Sequence, residues 1–295
     1  MVKALVLLSG GLDSRLAVKI MQKFMTMEAI FFKLPFGSRY SKCFDDVVRF
    51  CRKEKVKLNI IDCTTGKLLD EYLNIVRKPK HGRGTELNPC IDCKIFILRK
   101  AKEFADANGF KVIATGEVLG QRPMSQNRRA LDLIEKESGL KGRLLRPLSA
   151  KLLPPIKGIS KSKFLDIRGR SREKQIALAK KFKISFPSPA GGCLLCEKGF
   201  CRKLQPLLKR NISEIDIGLL KIGRHFKNSG IVLGKNYEQN LQLSKVFKKY
   251  RTGILLEPKE PGPTAFVRDK KYIPEAKKLI QKYSKHKIRT ITTTD

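Results

Sequence analysis

The stretch that most constrains this chain is "ALVLLSGGLDSRLAVKIMQKF", residues 4–24. Five apolar residues in a row run into Ser-Gly-Gly. An unbroken apolar run of that length suits a strand buried on both faces of a parallel sheet. Ala17, Ile20, Met21 and Phe24 then recur at i, i+3, i+4 and i+7, one face of a helix. The same alternation continues downstream. "EAIFFKL" (28–34), "VKLNIID" (56–62), "FKVIATGE" (110–117) and "GRLLRPL" (142–148) read as further strands. Residues 44–54 and about 91–108 read as helices, the second ending at Asn108-Gly109. Alternating strand and helix predicts an α/β fold, a doubly wound parallel sheet with ligands at the C-terminal strand ends.

The Gly-Gly turn carries chemistry. Gly10 and Gly11 allow a ligand to approach the backbone, and the following helix presents free N–H groups and a positive dipole end. Ser9 and Ser14 add hydroxyls. An acid, Asp13, belongs in such an anion cradle when Mg²⁺ accompanies the phosphates. The loop therefore reads as a cradle for a nucleotide pyrophosphate. It is not a Walker loop, because the Gly-Lys-Ser/Thr ending is missing.

After Pro154-Pro155 the texture changes. Residues 169–182 offer a helix with Ser171 as N-cap, and residues 184–201 are loop-like and rich in cysteine. From about 211 a small α+β segment begins, with strands expected at 230–234, 253–257 and 264–267. Residues 1–205 are expected to form one domain and residues 211–283 a second, followed by a basic tail, 284–295.

Lys and Arg number 63 against 27 Asp and Glu, a net charge of +36 spread along the whole chain. A heat-adapted surface would raise the acids together with the lysines. Here they lag, so the expected partner is a polyanion, with nucleic acid ahead of a membrane surface. No apolar stretch reaches the roughly 18 residues of a membrane helix, and the N-terminus has no signal-peptide pattern, so no membrane and a cytoplasmic site are expected. The eight cysteines are then expected reduced, as ligands or reactive thiols. Cys90 and Cys93 form one CxxC pair, Cys193 and Cys196 another. Two such pairs suit a Cys₄ zinc site, an iron–sulfur cluster, or persulfide exchange between thiols. Cys43, Cys51 and Cys63 lack a pairing pattern and read as core thiols, and Cys201 is unplaced.

Four strings carry a resemblance. "SGGLDS" (9–14) resembles the SGGxDS signature of the PP-loop ATP pyrophosphatases, which cleave ATP between the α and β phosphates. "TGEVLGQRPMSQ" (115–126) resembles a stretch of tRNA 4-thiouridine synthetases, and "NPCIDCK" (88–94) one of 2-thiouridine synthetases. "PSPAGGCLLC" (187–196) resembles a shorter group of tRNA thiolation proteins without a rhodanese domain. The resemblance implies an ATP-dependent tRNA sulfurtransferase that adenylates a uridine carbonyl and replaces its oxygen with sulfur, giving AMP and pyrophosphate. It implies ATP on Ser9, Gly10, Gly11, Leu12, Asp13, Ser14, Thr115, Gly116 and Gln121, with Mg²⁺ at Asp13. It further implies a [4Fe-4S] cluster on Cys90, Cys93 and Cys193, with Cys196 as a possible extra ligand and Asp13, Cys90 and Cys193 as the catalytic set. The longer string favours 4-thiouridine at tRNA position 8 over 2-thiouridine at the wobble position. A non-catalytic, zinc-stabilised RNA-binding protein is the reading from another class. Sulfide or a sulfur-donor protein is the expected co-substrate. The oligomeric state is open, a homodimer included.

In the last third, "GKNYEQN" (234–240) and "PGPTAFV" (261–267) resemble the NFACT-R RNA-binding module. That resemblance implies RNA contacts from Arg224, His225 and Lys235.

Overall fold

The computed structural model describes residues 2–37, 41–187, 193–284 and 287–292. The chain separates into two compact units, Met1–Cys196 and Glu197–Asp295.

In the first unit, β1 (Lys3–Leu7), β2 (Thr26–Lys33), β3 (Leu58–Asp62), β4 (Val112–Ala114) and β5 (Leu144–Leu145) form one parallel sheet in the order β3-β2-β1-β4-β5. The helices are α1 (Leu12–Gln22), α2 (Ser41–Lys53), α3 (Gly66–Arg77), α4 (Cys90–Ala107), α5 (Arg128–Glu137) and α6 (Glu173–Lys181). The alternation within β1 explains the sandwich. Ala4 and Val6 pack with Leu16, Ala17, Ile20, Met21 and Ala179 on one face. Leu5 packs with Ile95, Leu98, Ala101 and Ile134 on the other. Each face is covered by helices, which is why the strand reads as unbroken apolar sequence. This is the doubly wound α/β sheet expected from the sequence.

Three details differ from the sequence reading. β4 and β5 are shorter than 110–117 and 142–148: Thr115 N–H still donates to Leu145 O at 2.9 Å, and from Gly116 the chain meets the loop after β1. Helix α1 stops at Gln22, so Phe24 is 39% exposed, with its ring edge-on to Phe164 at 5.9 Å. The N-cap of α6 is Arg172, and the Ser171 hydroxyl accepts from the Glu173 N–H at 3.3 Å from one residue further out.

The second unit is an antiparallel sheet, in the order β10-β8-β9-β7-β6. Its strands are β6 (Arg224–Phe226), β7 (Ile231–Leu233), β8 (Ile254–Pro258), β9 (Ala265–Val267) and β10 (Ile288–Ile291). Its helices are α7 (Lys198–Leu204), α8 (Glu214–Leu220), α9 (Tyr237–Tyr250) and α10 (Ile273–Gln281). Period-two alternation again divides the faces. Val232, Leu255 and Phe266 pack with Leu219, Leu243 and Phe247, while Ile231, Leu233, Ile254 and Val267 pack with Ala276 and Ile280. The stretch read as a basic tail contains β10, whose β-branched residues complete the edge of β8. No helix among the described residues is long and apolar enough to cross a membrane.

Candidate functional site: a nucleotide cavity beside a thiol set

The order of the parallel sheet reverses between β1 and β4, which opens a crevice beyond their C-terminal ends. The loop after β1 fills one side of it. Gly10 takes φ +84°, a left-handed conformation that a side chain rarely adopts. Gly11 caps α1, and the Ser14 hydroxyl donates to Gly11 O at 2.9 Å. Ser9 Oγ donates to Ser14 Oγ at 3.2 Å. Buried Arg15 donates from Nε to Gly10 O and from Nη1 to Ser185 O, both at 2.8 Å. The loop is therefore fixed from behind while the N–H groups of the first turn face the crevice.

The end of β4 supplies the other side. A Cβ on Gly116 would lie 2.5 Å from the carbonyl carbon of Asp13 and the amide nitrogen of Ser14, so only glycine fits there. Gln121 Nε2 donates to Asp13 Oδ2 at 2.8 Å, and Gln175 Nε2 on α6 donates to Gln121 Oε1 at 3.2 Å. The other carboxylate oxygen, Asp13 Oδ1, is buried and has no hydrogen-bond partner. Burial raises the Asp13 pKa above the ordinary carboxylate value, against the hydrogen bond from Gln121 and the charges of Arg172 and Arg122. A buried carboxylate with one oxygen aimed at nothing is a donor set for a cation. The residues therefore fit Mg²⁺.

Between the two sides lies a cavity of about 670 Å³, within the range of small-molecule sites. Ser9, Gly10, Gly11, Leu12, Asp13, Ser14, Thr115, Gly116 and Gln121, expected together from the sequence, all line it. Lys94, Arg122 and Arg172 bring positive charge, and Ile30, Phe32 and Ile97 form an apolar wall.

In the cavity lining is a charge network that sequence reasoning missed, reaching back to buried Arg146. Glu117 pairs with Lys94, and Arg146 Nε donates to it at 3.1 Å. Arg146 Nη1 also donates to Glu135 Oε2 at 2.8 Å. Burial pushes the Glu117 pKa up, but the charges and hydrogen bonds of Lys94 and Arg146 outweigh it and hold the group at about 2. A signal was available, since an arginine inside the apolar "LLRPL" run must find a buried partner.

The thiols gather at the start of α4. Cys90 is its first residue and Cys93 lies one turn on. The 3-10 turn Leu194–Cys196 is held against them by two backbone bonds. Leu194 N–H donates to Phe36 O and Leu87 N–H donates to Leu195 O, both at 3.1 Å. Cys193 Sγ–H donates to Phe36 O at 3.2 Å, and Tyr72 Oη lies 3.7 Å from Cys93 Sγ. Burial, with the neighbouring cysteines adding to it, raises Cys93 to about 11 and Cys193 to about 12. Each thiol thus sits within electrostatic reach of the others. Cys196 differs, because Asn88 Nδ2 donates to its sulfur at 2.7 Å.

Among the described residues, no three or more His, Cys, Asp or Glu are arranged to hold a metal ion. A four-iron cube spaces its cysteine sulfurs more widely than one tetrahedral ion does. Cys90, Cys93, Cys193 and Cys196 are partly buried soft donors, the ligand type that such a cluster takes. Cys51 and Cys63 are buried, with pKa values raised by burial to about 11 and about 12, as expected of core thiols. The side chain of Cys43 and residues 188–192 of the fourth string lie outside the described residues. Cys51, Cys63, Cys90, Cys93 and Cys193 form no disulfide among the described residues.

Of the residues expected at RNA, Arg224 and Lys235 are exposed. The His225 ring is committed to the fold. Nε2 lies 3.1 Å from both Leu219 O and Ile222 O, and Nδ1 lies 2.9 Å from Ser229 Oγ. Burial lowers its pKa to about 4, so it is a neutral structural residue at pH 7.

The chain is 34% identical over 128 residues to probable tRNA sulfurtransferases of Thermoanaerobacter sp. (strain X514) and Thermoanaerobacter pseudethanolicus (strain ATCC 33223 / 39E), covering 40% of this chain and 30% of each relative. It thus spans about a third of the length of these curated relatives. Among solved structures it is similar to the U34-tRNA thiolase NcsA from Methanococcus maripaludis with its [4Fe-4S] cluster. That likeness has 18% identity and a TM-score of 0.39, over 77% of this chain and 80% of that one. Residues 1–165, which hold the whole parallel sheet and Cys90 and Cys93, match the family described as thiamine biosynthesis protein (ThiI). The chain belongs to the ThiI family.

Proposed function

We propose that this protein is an ATP-dependent tRNA sulfurtransferase that converts a uridine carbonyl to a thiocarbonyl, at the 4-position of uridine 8. One observation carries the reading. Lys94 lines the nucleotide cavity and is the residue directly after Cys93, so a single turn of α4 joins the thiols to the phosphate site. A cavity for ATP alone has no need of that junction.

The loop amides and the Ser9 and Ser14 hydroxyls cradle the phosphates, with Lys94, Arg122 and Arg172 supplying charge. Asp13 would hold Mg²⁺, which would supply positive charge to the phosphates. The uridine oxygen attacks the α-phosphorus, and the bond to pyrophosphate breaks. The apolar wall of Ile30, Phe32 and Ile97 excludes water from the adenylate, which hydrolysis would waste. Cys90, Cys93 and Cys193 would hold a [4Fe-4S] cluster, whose chemistry would be to present sulfide-level sulfur to the activated carbon. Sulfur then replaces the activated oxygen, and AMP leaves. The second unit, with Arg224 and Lys235 exposed, is the RNA-binding part. The cytoplasm, where thiols stay reduced, suits this chemistry.

The test uses ATP labelled in the α-phosphate. The reading predicts AMP and pyrophosphate in equal amounts, dependent on unmodified tRNA. ADP with inorganic phosphate, or turnover indifferent to tRNA, would refute it.

A further inference from the structure

The second unit contains a cavity of about 590 Å³ that the sulfur-transfer reading does not use. Its lining differs from that of the ATP cavity. Of the large hydrophobic side chains exposed on the described residues, Tyr237 (77%), Leu241 (43%) and Tyr283 (61%) all line it. Arg224 lies along Tyr283, with its guanidinium carbon 5.9 Å from the ring centre and Nη1 donating to the phenol oxygen at 2.9 Å. Lys235 adds a second exposed cation.

Two carboxylates, Glu257 and Glu260, also line the cavity, and Glu257 accepts from the Ser244 hydroxyl at 2.9 Å. A groove built to track a row of phosphates excludes acids. Carboxylates do accept N–H donors from the edge of a nucleobase. Cations beside an aromatic ring, with acids in the same cavity, match one nucleotide that has its phosphate on Arg224 and Lys235 and its base on an aromatic face. Tyrosines exposed to this degree would be shielded in a protein with no partner for them.

We infer that this cavity holds one unpaired nucleotide of the RNA, its base stacked on Tyr283 or Tyr237. The inference rests on the RNA-binding reading of the second unit and narrows it from a basic surface to single-strand recognition. A base within a duplex keeps both faces covered by its neighbours, so only an unstacked nucleotide enters.

The experiment measures fluorescence anisotropy of the full chain with a labelled 12-nucleotide single-stranded RNA and with the same sequence as a duplex. Both tyrosines are exposed, so substitution leaves the fold intact. Tyr283→Ala and Tyr237→Ala are expected to weaken single-strand binding, with a loss of about tenfold where the base stacks, and to leave duplex binding within twofold. Tyr283→Phe, which keeps the ring, retains single-strand affinity. Equal losses on both RNAs, or no loss on either with both alanine variants, would overturn the inference. Displacement by an equimolar free mononucleotide would also overturn it and mark a small-molecule site. A charge-reversed Arg224→Glu, Lys235→Glu variant separates the two levels. If it weakens both RNAs while the tyrosine variants change nothing, the RNA reading stands and the nucleotide cavity falls. If it changes neither RNA, both fall.

Discussion

One oxygen of Asp13 rests on Gln121 and the other is buried without a partner. Asp13→Asn keeps the volume and the Gln121 contact but loses the charge that would hold Mg²⁺. AMP formation is expected to fall by at least about 10²-fold, with RNA affinity within twofold in the anisotropy assay. Gly116→Ala tests the same site from the other side. Its Cβ would meet backbone atoms of Asp13 and Ser14 at 2.5 Å, so one strand end or the loop must move. The cost is about 1–3 kcal/mol of stability, read as a lowered melting temperature, and ATP binding is lost with it. Among the thiols, Cys90→Ala, Cys93→Ala and Cys193→Ala are expected to lose the iron content and brown absorbance of anaerobically purified protein. Cys196→Ala is expected to keep both. Loss in Cys196→Ala with retention in Cys193→Ala would exchange the third ligand. At this scale the loop and thiols were legible because glycine, acid and cysteine have few alternative uses at those spacings. Lys94, Glu117 and Arg146 were not singled out, since a charged residue's partner is set by tertiary packing and not by its neighbours in sequence.

The two sheets respond differently to acid. His225, on β6 with its ring against the end of α8, has a folded pKa of about 4, below its ordinary 6.5. The unfolded chain therefore takes up the proton first. The stability His225 contributes is complete above pH 6.5 and is lost as pH falls from 6.5 toward 4, by up to about 1.4 kcal/mol per pH unit. Glu117, at the end of β4, has a folded pKa of about 2 against an ordinary 4.5. Its contribution is complete above pH 4.5 and is lost only below that. Between pH 6.5 and 4.5, hydrogen-exchange protection, corrected for the intrinsic exchange rate at each pH, is expected to fall for amides of β6 and β7 and to stay constant for β1 and β4. His225→Asn should remove that dependence. An equal response of both sheets would contradict it. Strands β1, β2 and β3 were legible as apolar runs, since each lies within a parallel sheet. The ends of β4 and β5 were not, because they are set by where Gly116 meets the loop. Strand β10 was hidden by its basic setting, "KHKIRTITTTD", since pairing to the edge of β8 outweighs local charge.

At the scale of the whole molecule, a formal charge of +36 is expected to dominate the proposed association with RNA. The logarithm of the binding constant is expected to fall linearly with the logarithm of salt, each neutralised phosphate contributing about −0.7 to −0.9 to the slope. A salt-independent affinity would remove the polyanion from the account. Composition points to a polyanion, while the grouping of Arg224, Lys235 and two exposed tyrosines around one cavity needed the fold. The central claim joins the two chemistries of the first unit, activation by ATP and replacement of oxygen by sulfur. It is tested most directly by mass spectrometry of nucleosides from unmodified tRNA incubated anaerobically with the cluster-loaded protein, ATP and sulfide. The account predicts 4-thiouridine, formed only when ATP is present and absent with Asp13→Asn or Cys93→Ala. TRNA that returns with every uridine unchanged, while the same protein holds its iron and binds ATP, would contradict it.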